Sequence, residues 1–283
     1  MVDKPPGPTS HDVVHRVRRA LGIRAVGHTG TLDPFASGLL VLLVGRATRV
    51  ARFLEGLPKT YRAVARLGIR TDTDDRTGAV VGEAVDTADL DPNAVRAALA
   101  AGVGSQQQRP PAYSAKLVGG VRSYRRARRG EAVELPEVAI RVYRAELIAH
   151  ETDIVAFRVT VSSGTYVRAL ARDLGERLGV GAHLVELRRE AIGCLTVEQA
   201  VPLADVSADT AILPLAQVLE HLPRLVLTDE EAAGVRHGRA LPARGPTGSA
   251  AGPHVALMVD RAVVAIAVEA GDSLKPIVVL ESA

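Results

Sequence analysis

The residues with the clearest capacity for chemistry lie in one stretch, Gly27–Leu43, which reads GHTGTLDPFASGLLVLL. Its one carboxylate, Asp33, precedes Pro34, whose ring disfavours the helical region for the preceding residue and keeps it extended. A carboxylate on a stiff backbone, with His28 close by in the sequence, suits a catalytic group. The alternative is that the Asp-Pro pair only initiates a turn. The local pattern alone favours the turn. A catalytic role for Asp33 therefore depends on motifs elsewhere in the chain.

The apolar run after Asp33 is expected to be buried, and the composition of the chain is sufficient for a hydrophobic core. The chain has 283 residues, 47% of them hydrophobic, which is enough for one large domain and a small one. The single cysteine, Cys194, excludes a disulfide within the chain and a multi-cysteine zinc site. No apolar signal core stands at the start, and the run Leu39–Val44 is too short to span a bilayer. We therefore expect a soluble cytoplasmic protein.

A helix with two histidines is expected near the start of the chain. Apolar spacing predicts an amphipathic helix with Ser10 as its N-cap. Its polar face carries His11 and His15 in the sequence HDVVH. A zinc-protease helix has this spacing but needs Glu at the second position, where this chain has Asp12, and no third ligand is evident. The favoured interpretation is a solvated basic face.

Period-two alternation predicts the strands that carry the later motifs. One strand is expected over Tyr61–Leu67 with one buried face, and a hairpin over Ile140–His150 and Ile154–Val161. A further strand is expected over His183–Arg189. The segment TDTDDRTG from Thr71 resembles a calcium loop, but its carboxylates and glycine are misplaced for an EF-hand, which excludes that class of site.

A helix is expected in SSGTYVRALARDLGERLG, with Ser163 or Thr165 as its cap. Tyr166 and Arg168 then lie in its first turn. A cation at that end opposes the helix dipole, so we expect Arg168 to have a specific anionic partner. The alternative is that its guanidinium reaches water.

The most basic part of the chain is Ser105–Gly130, which carries seven Arg or Lys residues and no Asp or Glu. Its prolines and glycines indicate a mobile arm with a helical end. A charge run is usually a solvated face, but one sign of charge interleaved with Tyr113 and Tyr124 favours phosphate contacts and base stacking. The segment predicts nucleic-acid binding.

The composition changes towards the end of the chain. Pro223–Ala283 begins with a short helical pattern that a capping box of Thr228 and Glu231 would start. Short apolar strands follow, separated by glycine and proline loops. We expect a small β-rich domain that packs on the main body, because about sixty residues is close to the lower limit for independent folding.

Five segments together resemble the bacterial TruB-type tRNA pseudouridine(55) synthases. They occur in the family's order and at similar spacing across residues 3–189, with one mild departure at Ser37, where many members have Thr. The segments are DKPPGPTSHD from Asp3, GHTGTLDPFASG from Gly27, KTYR from Lys59, SGTYVRALARDLG from Ser163 and GAHLVELRR from Gly181.

The resemblance implies an α+β pseudouridine synthase fold, with a mixed central β-sheet flanked by helices and loops and a small β-rich, PUA-like C-terminal domain. The implied domains are a catalytic one over residues 1–222, with the mobile basic arm at about 105–130, and an RNA-binding one over 223–283.

The implied activity is isomerisation of the uridine at position 55, in the T-arm of tRNA, to pseudouridine. Breaking the bond between the base and the ribose builds positive charge on the sugar, which a carboxylate can stabilise or attack. In the resemblance Asp33 is the catalytic aspartate, Arg168 pairs with it, and Tyr61 stacks on the target base and takes part in removing the C5 proton.

Other implied roles concern substrate binding. His28 enters the T-loop as the target base is flipped out. Lys4 by charge and Leu187 by apolar contact line the pocket, and Tyr166 supports it. The arm, including Arg125 and Arg126, clamps the T-arm.

The resemblance implies tRNA as the partner, no cofactor and no metal. It also implies no membrane association, no guide RNA, no obligate protein partner and a monomer. The alternative function is a tRNA-binding or folding chaperone with secondary or no catalysis, in which flipping and clamping matter more than the chemistry.

Overall fold

The computed structural model describes residues 1–114, 116–118, 121–123, 126, 129, 131, 135–244 and 253–280. Within these ranges the α-helices are α1 Ser10–Leu21, α2 Ala51–Glu55, α3 Pro92–Ala100, α4 Val167–Arg177, α5 Leu215–Val218 and α6 Asp229–Arg236. Short 3₁₀ helices cover Gly45–Val50, Val197–Gln199 and Leu203–Asp205. Among the helices of the described ranges, none is both long and apolar enough to cross a membrane.

The strands lie before, between and after these helices along the chain. They are β1 Val2–Lys4, β2 Val26–His28, β3 Ser37–Leu40, β4 Leu42–Val44, β5 Lys59–Leu67, β6 Arg70–Thr71, β7 Val80–Val81, β8 Gly104–Gln108, β9 Leu117–Val118, β10 Val121–Arg122, β11 Val138–Glu151, β12 Ile154–Val161, β13 Ala182–Ile192, β14 Leu195–Thr196, β15 Val201–Pro202, β16 Arg224–Val226, β17 Leu241–Pro242, β18 His254–Val259, β19 Ala262–Ala270 and β20 Ser273–Val279.

Contacts divide the chain into two compact units. The first comprises Met1–Asp33, Leu39–Gly56 and Gly193–Ala283, and the second comprises Pro34–Gly38 and Leu57–Ile192. The division expected between residues 222 and 223 stays a prediction.

In the first unit, helix α1 starts one residue earlier than expected. The N-cap is Thr9, whose hydroxyl accepts from the Asp12 amide at 3.1 Å, while the Asp12 carboxylate accepts from the Thr9 amide at 2.8 Å. This reciprocal capping box satisfies two orphan donors. The predicted cap, Ser10, was wrong because its side chain turns inward and is buried. The apolar face of α1 packs with Val2, Val26, Leu40 and Leu203.

The C-terminal part of the first unit contains a five-stranded sheet in the order β16-β18-β19-β20-β17. Helix α6 packs on β19 and β20, and it begins with the predicted capping box of Thr228 and Glu231. Eleven buried residues from these elements form one apolar cluster. The expectation of a β-rich C-terminal region is confirmed.

His221 in the first unit has a perturbed environment. Its Nε2 donates to the Phe53 carbonyl oxygen at 3.0 Å, and its buried Nδ1 has no hydrogen-bond partner among the described residues. Burial lowers the pKa of the His221 imidazole, and the hydrogen bond to Phe53 opposes this only in part. A proton added at Nδ1 would be a buried donor without an acceptor.

This pKa shift makes stability depend on pH. The folded pKa lies below the unfolded value of about 6.5, so the unfolded chain binds more protons as pH falls through that value, and stability is lost on the acid side. His221→Gln, which keeps a donor for Phe53, is expected to flatten the fall in unfolding free energy between about pH 7.5 and 5.5. Urea titrations at each pH measure the free energy of unfolding. The exposed His237→Gln is the control, and equal slopes for the two variants would contradict the prediction.

The second unit is built on a sheet with the order β3-β13-β5-β12-β11-β8. Strands β3 and β13 are parallel, and the other neighbours are antiparallel. The sheet is therefore mixed, and the predicted α+β class with a mixed central sheet is confirmed. Strand β5 alternates strictly between buried and more exposed residues, as its sequence predicted. Helix α4 packs on β13 and β5.

Two glycines permit close packing in this unit. A Cβ on Gly38, which has φ +105°, would lie 2.3 Å from the Arg189 carbonyl oxygen in the neighbouring strand. A Cβ on Gly175 in α4 would lie 2.2 Å from the Gly181 carbonyl carbon. Because no side chain fits at either point, the backbones of β3 and α4 approach β13 directly.

Candidate active site

The loop that carries Asp33 is fixed on both sides of its turn. The Thr29 amide donates to the Val41 carbonyl at 3.1 Å. At the other end the Ser10 hydroxyl accepts from the Leu32 amide at 2.9 Å and donates to the Leu32 carbonyl at 3.2 Å. Asp33, half-buried, follows directly. The stiffness that the sequence predicted for this aspartate therefore rests on a helix residue as well as on Pro34.

His28 stands at the start of the same loop. It ends strand β2, where it pairs with Leu42 of β4, and its Nδ1 accepts from the Gly30 amide at 3.3 Å. The ring is half-buried. The histidine is thus oriented by its own turn.

Lys4, which was predicted to line the pocket by its charge, is fully buried. Its Nζ donates to the Pro5 and Pro8 carbonyl oxygens, each at 2.9 Å. The ammonium therefore organises the proline loop that leads into α1. Its role toward a substrate stays a prediction.

Tyr61 and Leu187 lie on neighbouring strands of the second unit. Tyr61 pairs with Arg189, and Leu187 with Ala63, between β5 and β13. Both side chains are buried, with 7% of each exposed. The structure places this aromatic ring and this apolar side chain on adjacent strands, and their roles toward a substrate stay predictions.

Arg168 has the anionic partner that its place in the first turn of α4 predicted. Its Nη1 lies 3.3 Å from Asp75 Oδ2, and the two side chains are 5% and 6% exposed. Its guanidinium also donates to the Thr73 carbonyl at 2.9 Å and to the Tyr113 carbonyl at 3.0 Å. A guanidinium with these bonds is rigidly oriented. The predicted pairing of Arg168 with Asp33 stays a prediction.

Asp75 is a candidate site residue that the sequence did not reveal. Its Oδ1 accepts from the Thr73 hydroxyl at 2.9 Å and from the Thr77 amide at 2.9 Å. The carboxylate is therefore both buried and hydrogen-bonded. In the sequence its segment, TDTDDRTG, resembles a calcium loop whose carboxylates and glycine are misplaced for an EF-hand, and no other role was predicted for it. The signals available in the sequence were three aspartates within four residues, Asp72, Asp74 and Asp75, and an arginine in the first turn of a helix that lacked an assigned partner.

The neighbouring Asp74 makes a parallel contact one helical turn further along α4. Arg172 Nη1 lies 2.9 Å from Asp74 Oδ2, and Arg172 Nη2 donates to the Arg109 carbonyl at 3.0 Å. Burial raises the pKa of the Asp74 carboxyl, although the charge of Arg172 opposes the shift. Desolvation thus outweighs the ion pair at this position. Two arginines of α4 together hold the turn that carries Asp74 and Asp75.

The start of α4 is capped differently from the prediction. Its N-cap is Tyr166, which has no side-chain capping bond of its own, so Ser163 and Thr165 were wrong candidates. Gln108, at the end of β8, accepts from the Tyr166 amide at 2.9 Å and donates to its carbonyl at 3.1 Å. The Tyr166 backbone thus positions the helix start, and the predicted role of Tyr166 in supporting the pocket stays a prediction. The tyrosine ring is half-buried.

Only part of the predicted basic arm can be described. Arg126 lies 2.6 Å from Glu131 through an Nε–Oε2 contact, and Ser105–Gln108 belong to strand β8. Arg125 lies outside the described residues. The clamping role of the arm stays a prediction.

The predicted site residues divide between the two units. Lys4, His28 and Asp33 belong to the first, and Tyr61, Tyr166, Arg168 and Leu187 to the second. The second set combines a buried aromatic ring, an apolar side chain and an oriented guanidinium. Among the described residues, no group of three or more His, Cys, Asp or Glu side chains is arranged to hold a metal ion.

Two family models match the chain in succession. The model for the TruB family pseudouridylate synthase N-terminal domain matches residues 18–167. The model for the tRNA pseudouridylate synthase B C-terminal domain matches residues 168–232.

Similar proteins and structures agree with these models. The tRNA pseudouridine synthase B of Arthrobacter sp. (strain FB24) is 43% identical over 291 residues, covering 99% of this chain and 95% of the relative. That of Thermobifida fusca (strain YX) is 44% identical over 295 residues, covering 99% and 97%. A chain in a Cbf5-Nop10-Gar1 complex has a TM-score of 0.77 at 29% identity, covering 99% of this chain and 84% of that one. A chain in an H/ACA RNP bound to a substrate RNA containing 2′-deoxyuridine has a TM-score of 0.76 at 28% identity, with the same coverage.

The fold and these likenesses define an isomerase of the pseudouridine synthase class, which confirms the predicted fold. The matched residues and the full-length relatives narrow the class further. The chain belongs to the TruB family of tRNA pseudouridine synthases.

Proposed function

We propose that the enzyme converts the uridine at position 55, in the T-arm of tRNA, to pseudouridine, with Asp33 as the essential group. The observation that carries the proposal is the fixed loop around Asp33, held at Thr29 and at Leu32. A carboxylate that acts on a sugar has to be placed within reach of one carbon atom, and a loop fixed on both sides meets that requirement.

The chemistry is an isomerisation. The bond between uracil N1 and ribose C1′ breaks, the base turns, and a bond forms between C5 and C1′. C5 releases its proton and N1 takes one up, so the product has the same composition as the substrate. Positive charge develops on the ribose as the first bond breaks, and the Asp33 carboxylate stabilises or attacks that centre. Arg168, oriented by its bonds to Thr73 and Tyr113, is proposed to form an ion pair with the Asp33 carboxylate.

The base must leave its stack before it can react. Tyr61, buried on β5, is proposed to stack on the flipped uracil and to assist removal of the C5 proton, with Leu187 as its apolar neighbour. His28 is proposed to occupy the space that the base leaves. Lys4 and Tyr166 support the pocket, and the arm with Arg125 and Arg126 contacts phosphates.

The partner in this proposal is tRNA alone, bound by a monomer in the cytoplasm without guide RNA or a second protein. The choice of tRNA is supported by the name of the relatives, tRNA pseudouridine synthase B, which align with almost the whole of this chain. The solved neighbour from an H/ACA RNP bound to a substrate RNA shares the fold.

The test uses an unmodified tRNA transcript labelled with tritium at C5 of its uridines. Formation of the new bond at C5 releases the tritium into water. The expected result is release equivalent to the one target uridine, and none from a transcript with cytidine at position 55. Equal release from both transcripts would show another target, and no release from either would remove the proposed activity.

A further inference from the structure

Tyr143 is the one aromatic side chain of the described residues that is largely exposed. Its exposed fraction is 48%, whereas Tyr61, Phe35, Phe53 and Phe157 are each below 10%. The remaining described aromatic side chains are half-buried. In a chain with 3% aromatic residues, an exposed ring on a regular strand has no packing role to explain it.

A β-bulge presents this ring to solvent. Between β11 and β12 the register passes from Val142 opposite Val161 to Arg144 opposite Thr160, so Tyr143 is the additional residue. Bulges re-aim side chains and interrupt pairing. On the other side, Val142 pairs with Gly104 of the edge strand β8. Apart from its chain neighbours, no described residue places an atom within 4 Å of where a Cβ on Gly104 would stand, so the described part of the chain leaves room beside the bulge.

Two arginines accompany the ring. The Arg141 guanidinium carbon lies 5.6 Å from the Tyr143 ring centroid, within cation–π range. Arg144 follows Tyr143, with 72% of its side chain exposed, and makes a surface ion pair with Glu146. Such exposed pairs contribute little stability. Arg141, Tyr143 and Arg144 are together called the Tyr143 ledge.

We propose that the Tyr143 ledge binds an unstacked nucleotide of the RNA substrate, with the base on the tyrosine ring and its phosphates on Arg141 and Arg144. Aromatic stacking and guanidinium–phosphate contacts are the two interactions that single-stranded RNA offers. This contact is additional to the active site, and it rests on the proposed function for the identity of the RNA.

The ledge and the candidate active site belong to one sheet. Strand β11 begins at Val138, which pairs with Gln108, and Gln108 caps the helix that carries Arg168. From Val138 to Tyr143 the strand rises by about 17 Å. A single tRNA is far larger than that distance, and the proposal requires one RNA to contact both places.

The test measures the Kd for the unmodified tRNA transcript at fixed salt. Tyr143→Ala is expected to weaken binding about fivefold or more, the lower end of the effect of losing one stacked base. Tyr143→Phe keeps the ring and is expected to bind like wild type. Ile148→Ala, on the same strand and 44% exposed, is the control and is expected to bind like wild type. Wild-type binding by Tyr143→Ala, or an equal loss in either other variant, would overturn the proposal.

The arginines have a separate readout. Arg141→Gln and Arg144→Gln are each expected to reduce the slope of log affinity against log salt by about one. Arg66→Gln, an exposed arginine paired with Asp153, is the control and should leave the slope unchanged. Unchanged slopes in all three variants would overturn the phosphate contacts.

Tritium release measured on the same preparations separates this proposal from the proposed function. If the wild type released no tritium and Tyr143→Ala still bound tRNA more weakly than the wild type, the ledge would be supported and the proposed activity removed. Normal tritium release by the wild type, with unchanged binding by Tyr143→Ala, would remove the ledge alone.

Discussion

Asp33→Asn is expected to abolish pseudouridine formation, with a fall in the single-turnover rate of at least about a thousandfold, as for other principal catalytic groups. The amide has the size of the carboxylate but neither its charge nor its nucleophilicity. The bonds that fix the loop, at Thr29 and at Leu32, do not involve the Asp33 side chain. Binding of tRNA should therefore persist. Tritium release with enzyme in excess gives the rate, and a filter assay gives the Kd.

A matched variant is Asp12→Asn, which removes an exposed carboxylate from the same helix that holds the loop through Ser10. It weakens a capping box and is expected to leave the rate unchanged. If Asp33→Asn retained more than about a tenth of the wild-type rate, Asp33 would lose its place in the mechanism. Equal losses in both variants would point to the fold of the loop instead.

Asp75→Asn is expected to lower the free energy of unfolding by about 3 kcal/mol, the lower end of the range for breaking a buried ion pair by removing one partner. The change leaves the Arg168 guanidinium buried without the Asp75 charge, and it disturbs the bonds from Thr73 and Thr77. Urea denaturation measures it, with an unchanged m-value as the sign that the unfolding reaction is the same.

The control for Asp75 is Asp153→Asn. Asp153 lies 2.7 Å from Arg66, closer than Asp75 lies to Arg168, but the two side chains are 31% and 48% exposed. Its loss should cost less than about 1 kcal/mol. Comparing Asp75→Asn with Asp153→Asn therefore separates the effect of burial from the effect of distance. Equal losses in the free energy of unfolding would contradict the prediction that burial decides the strength of the ion pair.

Local chemistry explains which elements the sequence predicted well. The alternation of β5 depends on side chains one and two residues apart, and the capping box of α6 joins two residues that are three positions apart. Both are complete within a short window, so the sequence contains the whole cause. The extended backbone predicted for Asp33 likewise rests on its neighbour Pro34 alone.

The failures have long-range causes. Ser10 and Thr9 are equally good caps by residue type, and Ser10 is drawn inward by Leu32, 22 residues away. The start of α4 is capped by Gln108, 58 residues away, which makes Ser163 and Thr165 unnecessary. Three aspartates stand close together in TDTDDRTG, and only the approach of Arg168 from α4 distinguishes Asp75 from the others.

The place of β13 in the sheet has a consequence for synthesis on the ribosome. Strand β13 lies between β3 and β5, yet about 115 residues separate the end of β5 from its start. At about 5–20 residues per second, translation of that distance takes about 6–23 s. During this interval one edge of β5 lacks its final neighbour, and the nascent chain exposes a strand edge open to pairing with other chains. Completion of the sheet is therefore timed by translation of β13.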